Sequence, residues 1–278
     1  MMPADRGQAG RWLDALLGAT SRRLHERGRI ALHSENDAVW YMDGHGFVPA
    51  HAAAKGDMTA IHSWVFNGTA QHYGPLSPHS VGHAAYLAEL SKAFSPDPDR
   101  QVWIQEIGAP QNVMDEDDLP GFCRESVRRI VDCANVYGIT WWCSHDVQQR
   151  FSDFPWFEHR LGLFDEDGNL KPVGAAFRDA IAEYADAPAA EPRTEAIVVP
   201  VDGDGVPTMR AALAPGGSLF EAWHDLSVRG ERPTFVTSTD AEDADALRMR
   251  GIAEVIHIEP VPGHAYTAVS DPAFEEVG

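Results

Sequence analysis

The chain carries a carboxylate where an apolar strand should end. VWIQEIGAP, residues 102–110, runs from Val102 to Gln105 into Glu106, with Gly108 and Pro110 just beyond. Three other short apolar runs also finish on chemistry-bearing residues. RIALHSEND (29–37) delivers His33, Glu35 and Asn36. KGDMTAIHSWVFNG (55–68) delivers His62 and Trp64. ITWWCSHD (139–146) delivers Trp141, Trp142, His145 and Asp146. Together these side chains are what a sugar site requires. Indole faces stack on the apolar faces of pyranose rings, while carboxylates and imidazoles take the hydroxyls and the reacting carbon.

The elements between these runs read as helices. Arg11 to Arg27 places Trp12, Leu13, Leu16, Leu17 and Leu24 near helical spacing, with Gly28 at the expected C-terminal stop. Further helices are expected at 79–94, at 115–138 with acidic residues crowding its start, and at 171–187 opening near Pro172. Strands alternating with helices imply a parallel sheet covered by helices. In a (β/α)8 barrel every strand C-terminus points to one face, and that face carries the chemistry.

Beyond residue 187 the pattern changes. DAPAAEPRTEA (186–196) reads as a linker, and 188–195 divides the chain into a first unit, 1–187, and a second, 196–278. In the second, strands are expected at 196–201, 233–239 and 253–261, with helices at 216–231 and 240–251. This small α/β unit resembles the flavodoxin-like accessory domains that follow some barrel glycosidases. It has no GxGxxG or GKS/T motif, so nucleotide binding has no support.

Composition narrows the partners. The 278 residues carry a net charge of −20, which opposes nucleic acid and anionic membrane surfaces. No stretch approaches the roughly 20 apolar residues of a membrane span. The N-terminus lacks the apolar core of a signal peptide. Three cysteines, Cys123, Cys133 and Cys143, form no CxxC pair, which fits a reducing cytoplasm. His72, His79 and His83 match no metal motif, so neither a metal nor another cofactor is expected.

The strand ends resemble those of clan A retaining glycoside hydrolases, most nearly the family 5 cellulase and mannosidase group. AIHSW (60–64) stands for the family's sixth strand, WIQEIGAP (103–110) for the seventh and TWWCSHD (140–146) for the eighth. FEHRLGLFDEDGNLKP (157–172) is similar to its final loop. The resemblance covers about residues 10–186 and implies the C-terminal half of a TIM barrel. Glu106 is implied as the nucleophile that forms a glycosyl-enzyme, and His62 as a hydrogen-bonding neighbour. Trp64 stands where the family usually has Tyr. Trp142 and Trp141 are implied as the sugar platform; alternation turns one of the two inward and the other toward the helices. Glu35, Asn36, His145 and Asp146 are expected to contact substrate, and Glu158 is weighed as a sugar contact against a salt bridge with Arg160.

Retaining hydrolysis also needs an acid/base carboxyl about 5–5.5 Å from the nucleophile. In the family this is the Glu of an Asn-Glu pair closing strand four, and no Asn-Glu occurs here. The helix at 11–27 resembles the one that follows strand four. The expectation is therefore a chain truncated before its acid/base, with an open barrel edge covered by a second copy or by the missing half. Glu35 is weighed as a substitute acid. The parent chemistry implied is retaining hydrolysis of a β-mannoside, or secondly a β-glucoside. The alternatives are a non-catalytic carbohydrate-binding remnant, or a barrel isomerase using Glu106 as base.

Overall fold

The structure, a computed structural model, describes residues 6–154 and 156–263; the expectations for 1–5 and 264–278 fall outside the described residues. The first part runs α1 (Arg6–His25), α2 (Ala38–Tyr41), α3 (Pro49–Ala54), β1 (Thr59–Ser63), α4 (Thr69–Tyr73), α5 (Pro78–Lys92), β2 (Val102–Ile107), α6 (Leu119–Ile130), β3 (Val136–Trp141) and α7 (Pro172–Tyr184). The second runs β4 (Glu195–Val199), α8 (Ser218–Val228), β5 (Pro233–Thr237), α9 (Ser238–Ala241), α10 (Ala244–Met249) and β6 (Glu254–Ile256).

The fold is α/β with parallel strands. One sheet has the order β1-β2-β3 and the other β5-β4-β6, all pairs parallel. Neither sheet closes on itself among the described residues. The strand expected over 29–37 is reduced to two bridges, Leu32 with Gly56 and His33 with Thr59. Asp57 fixes this junction: its carboxylate accepts from the Ala31 N–H at 2.6 Å, and its own N–H donates to Ala31 O. Gly56 sits at φ 71°, and a Cβ there would lie 2.7 Å from Ala31 O. A glycine is therefore required at that crossing.

Three boundaries differ from the sequence expectation. The helix expected through 138 stops at Ile130, and Val136–Gly138 belong to β3. Asn135, at φ 62°, turns the chain, and its carbonyl accepts from the Val102 N–H. Gly138 pairs with Trp103 inside the strand and caps no helix. The helix expected over 240–251 is two short ones, because Asp243 starts a new N-terminus by accepting from the N–H groups of Asp245 and Ala246. The last strand is cut to Glu254–Ile256. Helices α2, α3 and α4 were not anticipated.

Helix α5 explains how the two parts hold together. Twelve of its fifteen residues are buried, so no face is left for water. It packs on β1, β2 and α6 on one side and on β5 and α8 on the other. One continuous core therefore contains Trp40, Ile61, Leu87 and Ile104 together with Ile197, Phe220, Trp223 and Phe235. Polar ties cross the same seam: Tyr86 OH donates to Leu213 O at 2.8 Å, and Arg193 meets the buried Glu89 at 3.3 Å.

Candidate functional site

The site is built at the C-terminal ends of β1 and β2. The two strands pair in simple register as far as Ile61 with Ile104; the next pair is His62 with Glu106. One residue, Gln105, is thus extra on β2. Such a bulge re-aims side chains that strict alternation would send to opposite faces. It lets one imidazole meet two consecutive residues. His62 Nδ1 lies 3.3 Å from Glu106 Oε2, and its Nε2 lies 3.0 Å from Gln105 Oε1. Ser34 Oγ completes the group, 2.8 Å from His62 Nε2 and 2.7 Å from Gln105 Oε1.

Glu106 has a second partner. The Trp64 Nε1–H donates to the same Oε2 at 3.3 Å. The indole, standing where the family usually has Tyr, thereby makes a polar contact of its own to Glu106. Both contacts fall on one oxygen, Oε2, which orients the carboxylate. The side chains of Glu106 and His62 are 24% and 18% exposed, so the carboxylate can be reached but is not bathed in solvent.

The turn after Glu106 is fixed by packing. A Cβ on Gly108 would lie 2.7 Å from Trp142 O and 2.8 and 2.9 Å from two ring carbons of Trp64. Only glycine lets the Trp64 ring and the Trp142 backbone close on the strand end. The Trp142 N–H donates to Ile107 O at 2.8 Å, which ties the end of β3 to the same turn. Beyond Trp64 an aromatic series continues outward: Trp64 to Phe66 and Phe66 to Phe157 are each 5.4 Å between centroids, and Phe157 to Trp156 is 5.9 Å.

That series brings the 156–158 turn to the site. Burial, and then the charge of Glu106, raise the pKa of Glu158, so two carboxyls share this region. On the opposite flank, Glu35 Oε1 stands 3.3 Å from His33 Nε2, with both side chains largely enclosed. Burial pushes the Glu35 carboxyl up to about 7 and pushes the His33 imidazole down. Near neutral pH the imidazole is therefore uncharged and the carboxyl is about half protonated.

The two adjacent indoles part company. Trp141 is buried; its Nε1–H donates to Leu161 O at 3.1 Å and its ring packs on Phe177 of α7. Trp142 is 38% exposed. Of the two indoles expected as a platform, Trp142 is thus the exposed one and Trp141 is packed toward α7. Three other expected contacts are engaged in holding loops. Asn36 Oδ1 accepts from the Ala38 N–H and starts α2. Asp146 takes Lys171 Nζ at 2.7 Å and the Gly162 N–H at 2.8 Å. His145 is exposed and stacks on Phe164 at 5.1 Å. Gln105 and Ser34 escaped the sequence reading as members of the site. For Gln105, strict alternation argued against a residue adjacent to Glu106, and the bulge is invisible in sequence.

Among the described residues no group of three or more His, Cys, Asp and Glu side chains is arranged to hold a metal ion. No helix among them is long and apolar enough to cross a membrane.

No protein-family profile matches the chain, and no curated protein does. Solved structures do. GH5_18 from Bifidobacterium longum subsp. longum superposes with a TM-score of 0.89 at 51% identity, over 96% of this chain and 63% of that one. A glutamate-to-alanine variant of GH5_18 from the same organism, in complex with Manβ1-4GlcNAc, gives 0.91 at 51% identity, over 98% and 64%. A corresponding variant from Streptomyces cattleya, also with Manβ1-4GlcNAc, gives 0.86 at 46% identity, over 91% and 61%. The chain thus spans a little under two thirds of the length of these structures. The identity, the superposition and the disposition of Glu106, His62 and Trp64 lead to one conclusion: the chain is a glycoside hydrolase family 5-like protein.

Proposed function

We propose that this chain carries the nucleophile side of a retaining β-mannoside hydrolase site, with Glu106 as the nucleophile. One observation carries the reading: the Glu106 carboxylate is held through Oε2 by His62 and by the Trp64 indole at the end of a parallel strand, partly enclosed but reachable. An oriented, accessible carboxylate next to an indole is what attack on an anomeric carbon requires. The GH5_18 structures hold Manβ1-4GlcNAc, which favours β-mannoside over β-glucoside.

The fold supports this reading. The order β1-β2-β3, with the 32–33 segment bridged beside β1, fits strands five to eight of a (β/α)8 barrel. The order β5-β4-β6 fits a flavodoxin-like unit packed on it. In the mechanism proposed, a Glu106 oxygen attacks the anomeric carbon as the glycosidic C–O bond breaks, and water later releases the sugar. The leaving oxygen needs a proton from a second carboxyl. The family's Asn-Glu pair is not in this sequence, so an activated leaving group is the proper probe.

The test uses an aryl β-mannoside with a good leaving group. A burst of aryl alcohol is expected from the chain and none from Glu106→Gln. A 2-fluoro mannoside trap should leave a covalent mass on the peptide containing Glu106. Label on another residue, or equal silence from both folded proteins while sugar binding persists, would overturn the assignment and leave a carbohydrate-binding protein.

A further inference from the structure

Ser34, His62 and Gln105 close a triangle beside Glu106. Ser34 Oγ lies 2.8 Å from His62 Nε2 and donates to Gln105 Oε1 at 2.7 Å, and His62 Nε2 lies 3.0 Å from that same Oε1. The corners come from separate parts of the chain: the 29–37 segment, β1, and the bulge of β2. All of them are partly buried. The triangle grips the imidazole by Nε2, while the other ring nitrogen, Nδ1, lies 3.3 Å from Glu106 Oε2.

The grip has a physical purpose. A histidine ring left to itself turns broadly about χ2. The Nδ1 contact and the Trp64 contact to Oε2 are both 3.3 Å, at the long end for an N–H···O bond, so a small swing of the ring would lose the first of them. Holding Nε2 removes that swing. Both corners of the grip are themselves fixed. Ser34 is carried beside β1 by the Leu32–Gly56 and His33–Thr59 bridges and by the Asp57 carboxylate on the Ala31 N–H. Gln105 reaches the ring through the bulge, since regular alternation would send it to the face opposite Glu106.

We propose that Ser34 and Gln105 are positioning residues for the nucleophile: by holding His62 Nε2 they keep Nδ1 on Glu106 Oε2. The proposal rests on the reading of Glu106 as nucleophile. That carboxylate loses its charge when it bonds the anomeric carbon and regains it when water releases the sugar. A polar edge already in place at Oε2 favours the return of that charge without having to reorganise.

The test pairs burst kinetics on the activated aryl β-mannoside with NMR of the histidine ring nitrogens, the His62 signals being assigned by their loss in His62→Gln. Ser34→Ala and Gln105→Leu should each slow the burst about tenfold, and the double variant about a hundredfold, with the half-saturating substrate concentration unchanged. Each should move the His62 signals while Tm and the other histidine signals stay as in wild type. Ser34→Thr, which keeps the hydroxyl, should recover most of the rate. A higher half-saturating concentration at an unchanged burst rate would make these side chains sugar contacts and overturn the proposal. Unmoved His62 signals, or a loss of Tm with the rate per folded molecule intact, would overturn it too. A wild type without a burst defeats the nucleophile reading separately; the ring signals then decide alone, moved signals upholding the grip on His62 and unmoved ones refuting it. Should Gln105→Leu fail to fold, Gln105→Asn, whose shorter amide falls short of Nε2, supplies the same comparison.

Discussion

Glu35→Gln isolates the charge of one enclosed carboxyl. Burial lifts Glu35 from an ordinary 4.5 to about 7, and its neighbour His33 is held neutral by the same enclosure. The folded protein therefore keeps a proton on Glu35 that the unfolded chain releases above pH 4.5. Stability from this group is full below about 4.5, declines as pH rises toward 7, and is lost above it. The shift corresponds to a ceiling of about 3 kcal/mol at 1.36 kcal/mol per pKa unit. Partial solvent screening reduces that to roughly 1–2 kcal/mol. His33 works in the opposite direction, since its depressed pKa favours the folded state as pH rises toward 6.5, but it is common to both proteins. Urea denaturation of wild type and variant at pH 5 and pH 8 gives the answer by difference. Glutamine should be near neutral at pH 5 and should stabilise the protein by roughly 1–2 kcal/mol at pH 8. A variant equally or less stable than wild type at pH 8, or a difference that does not change with pH, would refute the argument that burial governs this carboxyl.

Two further perturbations probe the frame of the site. Gly108→Ala inserts a methyl 2.7 Å from Trp142 O and 2.8 Å from the Trp64 ring. It should cost roughly 1–3 kcal/mol in urea denaturation and shift the indole emission as Trp64 moves from Glu106; unchanged stability and emission would show the turn to be loose. Lys171→Met strands the Asp146 carboxylate, whose pair is nearly enclosed at 10% and 11% exposure. Breaking it should cost about 3–5 kcal/mol and expose the 143–162 loop to limited proteolysis, whereas a loss under about 1 kcal/mol would class the pair with exposed surface bridges.

The strand ends of the first part were legible because each apolar run stops on a polar or aromatic residue, and Glu106 stood out as a lone charge after VWIQ. The small sheet of the second part was legible for the same reason. The boundary at 130–136 was not. Gly138 looks like a helix stop, yet Asn135 makes the turn and Gly138 lies within β3. The linker reading of 186–196 described local composition correctly, but composition says nothing of what lies opposite. Arg193 within that segment is buried against Glu89.

The sequence by itself determined where carboxylate, imidazole and indole would emerge, since strand ends and helix starts are set by local pattern and punctuation. Which of those groups touch was decided only by the tertiary structure. A one-residue bulge between Ile61 and His62 brings Gln105 and Glu106 to one imidazole. The packing of Phe177 claims Trp141 and leaves Trp142 open. Lys171, twenty-five residues along the chain, pairs with Asp146. Contacts of this kind depend on register and on partners remote in sequence, and neither is encoded in the spacing of the residues that make them.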